Sequence, residues 1–431
     1  MKLNFIALPS TSDRKRIFSN FISLSVLQVL NYILPLVSLP YLTRVLGVEY
    51  FGLLAFATAT VGYFQIITDY GFNFTATKEI SIFRDDQKKL GEIFSAVISI
   101  KVLLMLISIL LLTVIVFSFK KFSKDWEIYY FSFGLVLGQV LFPIWFFQGM
   151  EKMRYITYLN IIAKSIFTIA IFIFIKQPSD YYIAPILTSI GYISVGVYSL
   201  IIIKNDFNIK FKIQPISIIR YHLKEGWHIF ISGIFTSFYT TSVTFILGIF
   251  STNQVVGYYS LANRIIGVAS NIFSPLNGAI FPYISKLVID SKIKASAYIN
   301  KILIYSSIVM LIFSILLFTF AKEIVLLISS SEFVNSIIIL RILAFLPLIL
   351  NAATIMLTNY FINFGFQSVL SKIYLFSAAL SIILSFTLVP LFFEIGSAIA
   401  VLSVELITTF LMMYFIKKNI LITIEKPNKE I

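Results

Sequence analysis

Long apolar runs dominate this 431-residue sequence and leave little choice of fold. A helix that crosses the hydrocarbon core of a bilayer needs about 20 mainly apolar residues. Mean hydropathy is +0.93, and only 13% of the residues are charged, against about 25% in soluble domains. The pattern predicts an all-α polytopic membrane protein with about twelve transmembrane helices, near 18–42, 49–69, 92–118, 128–148, 155–175, 182–203, 228–250, 256–283, 299–320, 335–361, 369–391 and 396–416.

The longest connection between the predicted spans separates six spans from six. This connection, 204–227, is polar and basic, and we interpret it as a cytoplasmic linker. The predicted organisation is therefore an N-terminal half (1–203), the linker, a C-terminal half (228–416) and a cytoplasmic tail (417–431).

A short internal repeat supports the two halves. Gly52, Ala57 and Gly62 open the second span, and the same spacing of small residues opens the eighth span, at Gly257, Ala262 and Gly267. Each half holds an even number of spans, so the repeats are expected to be parallel, related by an axis along the membrane normal.

The distribution of lysine and arginine predicts the orientation of the chain. Cytoplasmic loops carry an excess of both residues. With a cytoplasmic N-terminus, most loop lysines and arginines lie inside, and the outside loops carry only Arg44, Lys120, Lys121, Lys124, Lys176 and Lys322. Both termini are therefore predicted to be cytoplasmic. Topology also accounts for the net charge of +14 without a nucleic-acid partner.

Residue types that are missing or scarce exclude several kinds of chemistry. The chain has no cysteine, which excludes disulfides, thiolate metal sites and a cysteine nucleophile. Two histidines, both near the start of the seventh span, are too few for a metal site. No Gly-x4-Gly-Lys-Ser/Thr loop occurs, so we do not expect this chain to hydrolyse ATP.

Four cations lie inside predicted spans: Lys101, Lys164, Arg264 and Arg341. A charge at bilayer depth costs about 2.5 kcal/mol or more, so it usually faces a bundle interior or a wet cavity. Glu405 is the one acid at comparable depth. This excess of cations indicates a path for an anionic substrate. Lys101 has a second interpretation, snorkelling to the interface, and the two arginines have another, anchoring at the membrane boundary.

Polar residues recur on single faces of the predicted spans, at helical spacing. Asn160 and Lys164 share such a face with two threonines, Asn271 follows Arg264, and Asn31 lies in the first span. These asparagines either join neighbouring helices by hydrogen bonds or line a cavity that binds sugars. Lys164 has the best-supported site role among the cations because of its polar stripe.

Two acids are candidates for coupling or gating. Asp69 ends the second span just before a Tyr-Gly sequence, where ordinary helix-end chemistry is the alternative. Glu405 lies in the middle of the last span and either pairs with a cation or carries a coupling proton.

Several sequence segments resemble a known family. LPYLTRVLG at 39–47, YFGLLAFA at 50–57 and TDYGFNFTATKEIS at 68–81 are similar to the first two spans of Wzx-type O-antigen flippases. These belong to the polysaccharide-transporter branch of the multidrug/oligosaccharidyl-lipid/polysaccharide exporter superfamily. WFFQGMEKMRYITYLNIIAKSIF at Trp145–Phe167 is a second match, and GYYSLANRI at Gly257–Ile265 a looser one.

The resemblance implies a multi-pass flippase of the bacterial inner membrane, and not an enzyme. It would move undecaprenyl-diphosphate-linked oligosaccharide repeat units by alternating access, through a V of two six-helix bundles around a central cavity. Lys101 and Lys164 would contact the diphosphate. No bound cofactor is implied, but a proton or sodium gradient is a candidate energy source. A polysaccharide polymerase and a chain-length regulator are the implied protein partners.

Three alternatives stay open from the sequence. Two belong to the same superfamily, namely a multidrug or small-molecule exporter and a peptidoglycan-precursor flippase. The third is a membrane polysaccharide polymerase, although such an enzyme is expected to have a longer outside loop with reactive residues. A cavity that carries four cations disfavours cationic drugs.

Overall fold

The computed structural model of this chain describes residues 11–240, 242–272 and 274–421. Side chains are described for Leu34 and from residue 37 onward, apart from positions 236, 238–241, 273–276, 278–279, 282 and 419–421. Within these ranges every regular element is a helix. The predicted all-α membrane fold is therefore confirmed.

Helices cover the predicted spans, but four of these spans, 128–148, 228–250, 256–283 and 335–361, are each divided between separate helices. The helices are α1 (Thr11–Asp69), α2 (Phe72–Ile82), α3 (Gln87–Ser118), α4 (Lys120–Ser123), α5 (Trp126–Leu141), α6 (Ile144–Gly149), α7 (Met153–Phe174), α8 (Ile183–Asp206), α9 (Ile216–Thr240), α10 (Ser242–Phe250), α11 (Asn253–Ser270), α12 (Ser274–Asp290), α13 (Lys292–Thr319), α14 (Ala321–Ile328), α15 (Ser336–Leu343), α16 (Leu346–Ile355) and α17 (Gln367–Phe415). Short 3₁₀ turns lie at Pro178–Tyr182 and Ser331–Phe333, and π-helical stretches lie at Met356–Ile362 and Ile416–Leu421.

Two of these helices each contain a break between two predicted spans. Gly47 in α1 has φ 69°, and Phe393 in α17 has φ 44°, both outside the helical region. The break at Gly47 falls between the predicted spans 18–42 and 49–69. The break at Phe393 falls between 369–391 and 396–416.

Eight stretches among the described residues are long and apolar enough to cross a membrane. They are Val37–Ile82, Gln87–Ser118, Trp126–Gly149, Met153–Phe174, Pro178–Asp206, Lys292–Thr319, Ser336–Ile362 and Gln367–Lys418. The last stretch has 52 residues and contains the break at Phe393, so it is long enough for two crossings. The total of twelve spans and their arrangement as a V stay predictions.

The chain divides into two compact units. Unit 1 comprises the described part of Met1–Ser38 together with Val61–Lys176 and Tyr182–Gly233. Unit 2 comprises Leu39–Thr60, Gln177–Tyr181 and the described part of Ile234–Ile431. Residues 39–60 thus group with unit 2, although they precede the predicted linker. The predicted halves, 1–203 and 228–416, stay a prediction about the repeat.

Backbone contact explains why residues 39–60 belong to unit 2. A Cβ atom built on Gly52 would lie 1.8 Å from the carbonyl oxygen of Asn253, and one on Gly257 would lie 2.3 Å from that of Val48. Only glycine allows helices to approach this closely. Gly52 and Gly257 are equivalent positions of the internal repeat, so α1 and α11 meet at matching points.

Each unit has its own aromatic core. In unit 1, Trp145, Phe146 and Phe147 of α6 are completely buried, and Phe94 of α3 packs against both Trp145 and Phe146. In unit 2, Tyr360 is completely buried and its hydroxyl meets Ser296 and Asn300 of α13. These cores fix the helices that present the polar residues discussed next.

Candidate functional site

Lys101 lies in a buried ion pair. Only 1% of Lys101 is exposed, and its Nζ is 3.5 Å from Oδ1 of Asp69 at the end of α1. The same oxygen accepts a hydrogen bond of 2.8 Å from Nδ2 of Asn73 in α2. The structure therefore brings together two residues whose predicted roles were separate, the diphosphate contact and the gate.

The turn after Asp69 is fixed by its neighbours. Tyr70 and Gly71 both have positive φ, 49° and 79°. The Tyr70 ring stacks on Phe230 of α9 with centroids 4.6 Å apart, and Ile229 would lie 2.6 Å from a Cβ on Gly71. The left-handed turn thus lets α2 leave α1 while the carboxylate of Asp69 stays beside Lys101.

The polar stripe of α7 is partly packed inside unit 1. Thr157 and Thr168 are buried, whereas Asn160 and Lys164 are half-buried. Asn160 donates a hydrogen bond of 2.8 Å to the carbonyl oxygen of Ile156, one turn earlier on the same helix. The amide oxygen of Asn160 takes no part in this hydrogen bond. Whether Asn160 and Lys164 bind substrate stays a prediction.

The polar stripe of α11 lies on the open side of its helix. Arg264 is exposed although Leu261, Ala262, Ile265 and Ile266 around it are buried. One turn later, a Cβ on Gly267 would have no atom within 4 Å. Asn271 is half-buried and donates to the carbonyl oxygen of Gly267. In the described part of unit 2 this face is therefore open at Gly267 and only partly packed around it.

The guanidinium of Arg264 lies over an aromatic ring. Its Cζ is 5.0 Å from the ring centroid of Phe51, which is 2% exposed. Arg264 makes no hydrogen bond or ion pair with any residue that the structure describes. A cation held over a ring keeps its N–H donors available in the guanidinium plane. This geometry is suited to an anionic ligand.

Arg341 and Asn351 are packed more tightly than Arg264. Arg341 is half-buried with its Cζ 6.0 Å from the ring centroid of Phe318, and its buried Nε meets no hydrogen-bond partner among the described residues. Asn351, on the same predicted stripe, is buried and donates a hydrogen bond of 2.9 Å to Ser306 of α13. That stripe therefore joins two helices at Asn351.

The last two predicted positions differ in what the structure describes. Glu405 is half-buried in α17 and lies near enough to Tyr374 of the same helix to interact with it electrostatically. Asn31 lies in α1 at a position whose side chain is outside the described residues. The coupling role of Glu405 and the binding role of Asn31 stay predictions.

The family-like motifs of unit 1 pack against each other. Thr77, in the segment TDYGFNFTATKEIS, donates a hydrogen bond of 3.2 Å to the carbonyl oxygen of Trp145 in WFFQGMEK. Ile80 would lie 2.5 Å from a Cβ on Gly149. Arg84 binds the carbonyl oxygen of Gly149 and forms a 2.8 Å ion pair with Glu151. These two motifs thus stabilise the joint between α2 and α6.

The motif LPYLTRVLG has a corresponding structural role in unit 2. Thr43 donates to the carbonyl oxygen of Ile328, at 3.0 Å, and Arg44 donates to that of Leu327, so both cap the end of α14. Glu332 accepts the backbone N–H of Val48 at 3.2 Å, just after the bend at Gly47. The sequence analysis missed Glu332 because no local pattern links it to a glycine 285 positions earlier.

A second charged cluster of unit 1 was also missed. Nδ1 of His222 in α9 is 3.3 Å from Oε2 of Glu79 in α2, and His222 is 5% exposed. Burial lowers the pKa of His222 below its ordinary value, against the nearby carboxylates of Glu92 and Glu225. The sequence shows that Glu79 follows the second predicted span and that His222 precedes the seventh. It does not show that the two side chains meet.

Comparison with known proteins identifies the family. The family described as "Polysaccharide biosynthesis protein" matches residues 17–288. A protein of Escherichia coli (strain K12) named "Putative O-antigen transporter" is 33% identical over 400 residues, which cover 93% of this chain and 96% of that protein. A protein of Shigella dysenteriae with the same name is 30% identical over 407 residues, covering 92% and 99%.

Solved structures have the same fold at low sequence identity. A structure titled "Lipid II flippase MurJ, inward closed conformation" aligns with TM-score 0.73 at 13% identity and covers 93% of this chain and 88% of its own. An inward-facing multidrug resistance MATE family transporter of the MOP superfamily aligns with TM-score 0.72 at 14% identity, covering 92% and 96%. The resemblance found in the motifs is thus confirmed, and this multi-pass membrane protein belongs to the polysaccharide biosynthesis protein family.

Proposed function

We propose that this protein is a flippase that moves an undecaprenyl-diphosphate-linked oligosaccharide across the bacterial cytoplasmic membrane by alternating access. The O-antigen relatives and the transporter fold support this class of function. The product would supply O-antigen or another surface polysaccharide, so a polymerase and a chain-length regulator are its proposed partners.

The observation that carries the proposal is the environment of Arg264. Arg264 is exposed on a partly open face of α11, and its guanidinium lies over the ring of Phe51. Phosphate oxygens form strong, charge-assisted hydrogen bonds with arginine. A diphosphate supplies two such groups, whereas a cationic drug would be repelled.

Space beside Arg264 suits a sugar. Gly267 leaves room on the same face. The side-chain nitrogen of Asn271 donates to the carbonyl oxygen of Gly267, and its amide oxygen takes no part in that hydrogen bond. Gly62, the repeat equivalent of Gly267, is similarly open, because a Cβ added there would have no atom within 4 Å. Hydroxyl-rich ligands need such open polar faces.

Lys101 would act differently from Arg264. Asp69 already neutralises its ammonium group, so a diphosphate would compete with this carboxylate for Lys101. We propose that this exchange links substrate binding to the turn at Tyr70–Gly71. Lys164, which is half-buried on α7, is the proposed second contact of unit 1.

An ion gradient is the proposed energy source, with Glu405 as the residue that carries the coupling proton or sodium ion. Replacing this carboxylate tests the role directly. The pH dependence of transport is expected to flatten in Glu405→Gln, while an unaltered pH profile would rule out Glu405 as the coupling group.

Complementation tests the Arg264 proposal. A strain that lacks this gene should accumulate lipid-linked repeat units and lose its surface polysaccharide. Arg264→Ala is expected to lower the restored export roughly 10- to 100-fold, from the loss of charge-assisted hydrogen bonds. Arg264→Lys should retain part of the activity because it keeps the charge. The control is Lys322→Ala, which removes an exposed cation of unit 2 elsewhere.

Full export by Arg264→Ala, at the same protein level as the unaltered chain, would refute the binding role. The substrate class has its own test. Rescue of a strain depleted of its peptidoglycan-precursor flippase, without rescue of surface polysaccharide, would move the proposal to that other diphosphate lipid.

A further inference from the structure

A basic cavity lies at the start of α3, and none of the four cations inside predicted spans lines it. Its volume is about 500 Å³, and it is formed within unit 1 by the first turns of α3 and by the chain that follows α8. The residues that matter here are Lys88 and Gly91 of α3 and Asn208, Lys210 and Lys212 of the predicted linker. A ligand site in this cavity would be independent of the proposed flippase function.

The cavity is built by an ordered segment of chain. Asn208 has φ 53°, which turns the chain back after α8, and Ile209 is 3% exposed within the core of unit 1. The backbone N–H of Lys212 then donates a hydrogen bond of 3.0 Å to Oγ of Ser95, a completely buried residue of α3. These contacts fix the linker lysines beside the helix.

Gly91 provides space in the cavity wall. A Cβ at this position would have no atom within 4 Å, although Ser95, one turn later, is completely buried. The helix surface is thus packed at Ser95 and open at Gly91. A ligand group can approach the backbone of α3 there.

The charge of the cavity is strongly positive. Lys88, Lys210 and Lys212 are exposed, and none forms an ion pair with another residue in the described part of the chain. The acid in the lining, Glu92, has Lys89 as its partner at 2.8 Å. Three unneutralised ammonium groups around one cavity favour an anion.

The apolar side chains of the same segment indicate which kind of anion. Phe211, Ile213 and Ile216 are 52%, 90% and 78% exposed, and the first two alternate with the lysines along irregular chain. The segment begins just after the membrane-spanning stretch Pro178–Asp206. Apolar side chains so exposed at the end of a span are suited to lipid, and lysine at the cytoplasmic surface is suited to anionic headgroups.

We propose that this cavity binds the phosphodiester headgroup of an anionic phospholipid in the cytoplasmic leaflet. Lys88, Lys210 and Lys212 surround the phosphate, while Phe211 and Ile213 insert among the acyl chains. The linker between the halves is thereby attached to the membrane surface. This site is separate from the path of the transported substrate.

Lipid retention measured by native mass spectrometry tests the site. The full-length protein would be released from nanodiscs of phosphatidylcholine that contain a minority of phosphatidylglycerol. The double variant Lys210→Ser/Lys212→Ser is expected to weaken phosphatidylglycerol binding roughly 30-fold, from the effect of two basic residues near an anionic surface. Lys88→Ser, on the other wall, should weaken it roughly fivefold.

The matched control is Lys204→Ser/Lys224→Ser, which removes the same charge from exposed linker positions outside the cavity. An equal loss of phosphatidylglycerol binding in this control would overturn the site, because general surface charge would then explain the retention. Unchanged retention in the Lys210/Lys212 variant would overturn it as well. A separate arm adds inorganic phosphate to phosphatidylcholine nanodiscs. Thermal stabilisation by phosphate alone, equal to that by phosphatidylglycerol, would identify a free-anion site and refute the lipid.

Discussion

The cations that lie inside predicted spans are accommodated in different ways in the two units. In unit 1, Lys101 has a carboxylate partner, Asp69, which is itself hydrogen-bonded to Asn73. In unit 2, Arg264 and Arg341 lie near aromatic rings, those of Phe51 and Phe318. A lysine paired with an acid is electrically neutralised, whereas a ring leaves the charge of an arginine available. The comparison teaches that depth in the membrane does not by itself identify a substrate contact.

The largest expected effect comes from removing one partner of the ion pair. Lys101→Met should destabilise the protein by about 3–5 kcal/mol, because Asp69 would remain as a largely buried, uncompensated charge. Thermal unfolding in detergent measures this loss. Lys101→Met/Asp69→Asn should recover most of it, since neither charge then remains. A Lys101→Met protein as stable as the original would remove the contrast between the units.

A smaller effect is expected at Phe51. The interaction of Arg264 with this ring should contribute about 0.5–2 kcal/mol, which a double-mutant cycle with Phe51→Leu and Arg264→Gln isolates. Phe333 packs edge-on against Phe51 at 5.8 Å and serves as the control. A cycle between Phe333→Leu and Arg264→Gln should give a coupling near zero. Equal coupling in both cycles would mean that general packing, not the cation, is being measured.

Phe318 should matter less to its arginine. The separation of 6.0 Å from Arg341 lies at the limit for a cation–π interaction, and Phe318 is 44% exposed. The cycle of Phe318→Leu with Arg341→Gln is expected to give about 0.5 kcal/mol or less. A coupling as large as that of Phe51 would place the two arginines in one class and sharpen the contrast with Lys101.

The smallest effect concerns pH and the contact of His222 with Glu79 in unit 1. Because burial lowers the pKa of His222, the unfolded chain binds more protons at this residue than the folded protein. Its contribution is therefore neutral above the ordinary histidine pKa of about 6.5 and becomes destabilising as the pH falls below it. His222→Gln should reduce this acid sensitivity, measured by unfolding between pH 5 and pH 8. The exposed His228, changed to Gln, is the control; equal changes in both variants would contradict the assignment.

Local patterns predicted the apolar helices and the gaps between spans near Gly47 and Phe393, and they placed the polar residues of α11 on one face, because these features depend on residues close in sequence. The spacing of Arg264, Gly267 and Asn271 was enough to place them on one face. Contacts between helices were not accessible in the same way. Lys101 meets Asp69 only because α3 packs on α1 in one register, and the hydrogen bond of Asn351 to Ser306 likewise depends on how α13 lies beside α16.

The packing of Thr77 on Trp145 and the capping of α14 by Thr43 and Arg44 have a consequence for how such chains are classified. Their motifs lie in joints between helices, where substitution is limited by fit. Searches based on these motifs will therefore collect proteins that are assembled alike, whatever sugars they carry. If the proposed function holds, substrate preference should instead depend on positions on open faces such as that of α11, and comparing chains from strains with different surface polysaccharides would test this.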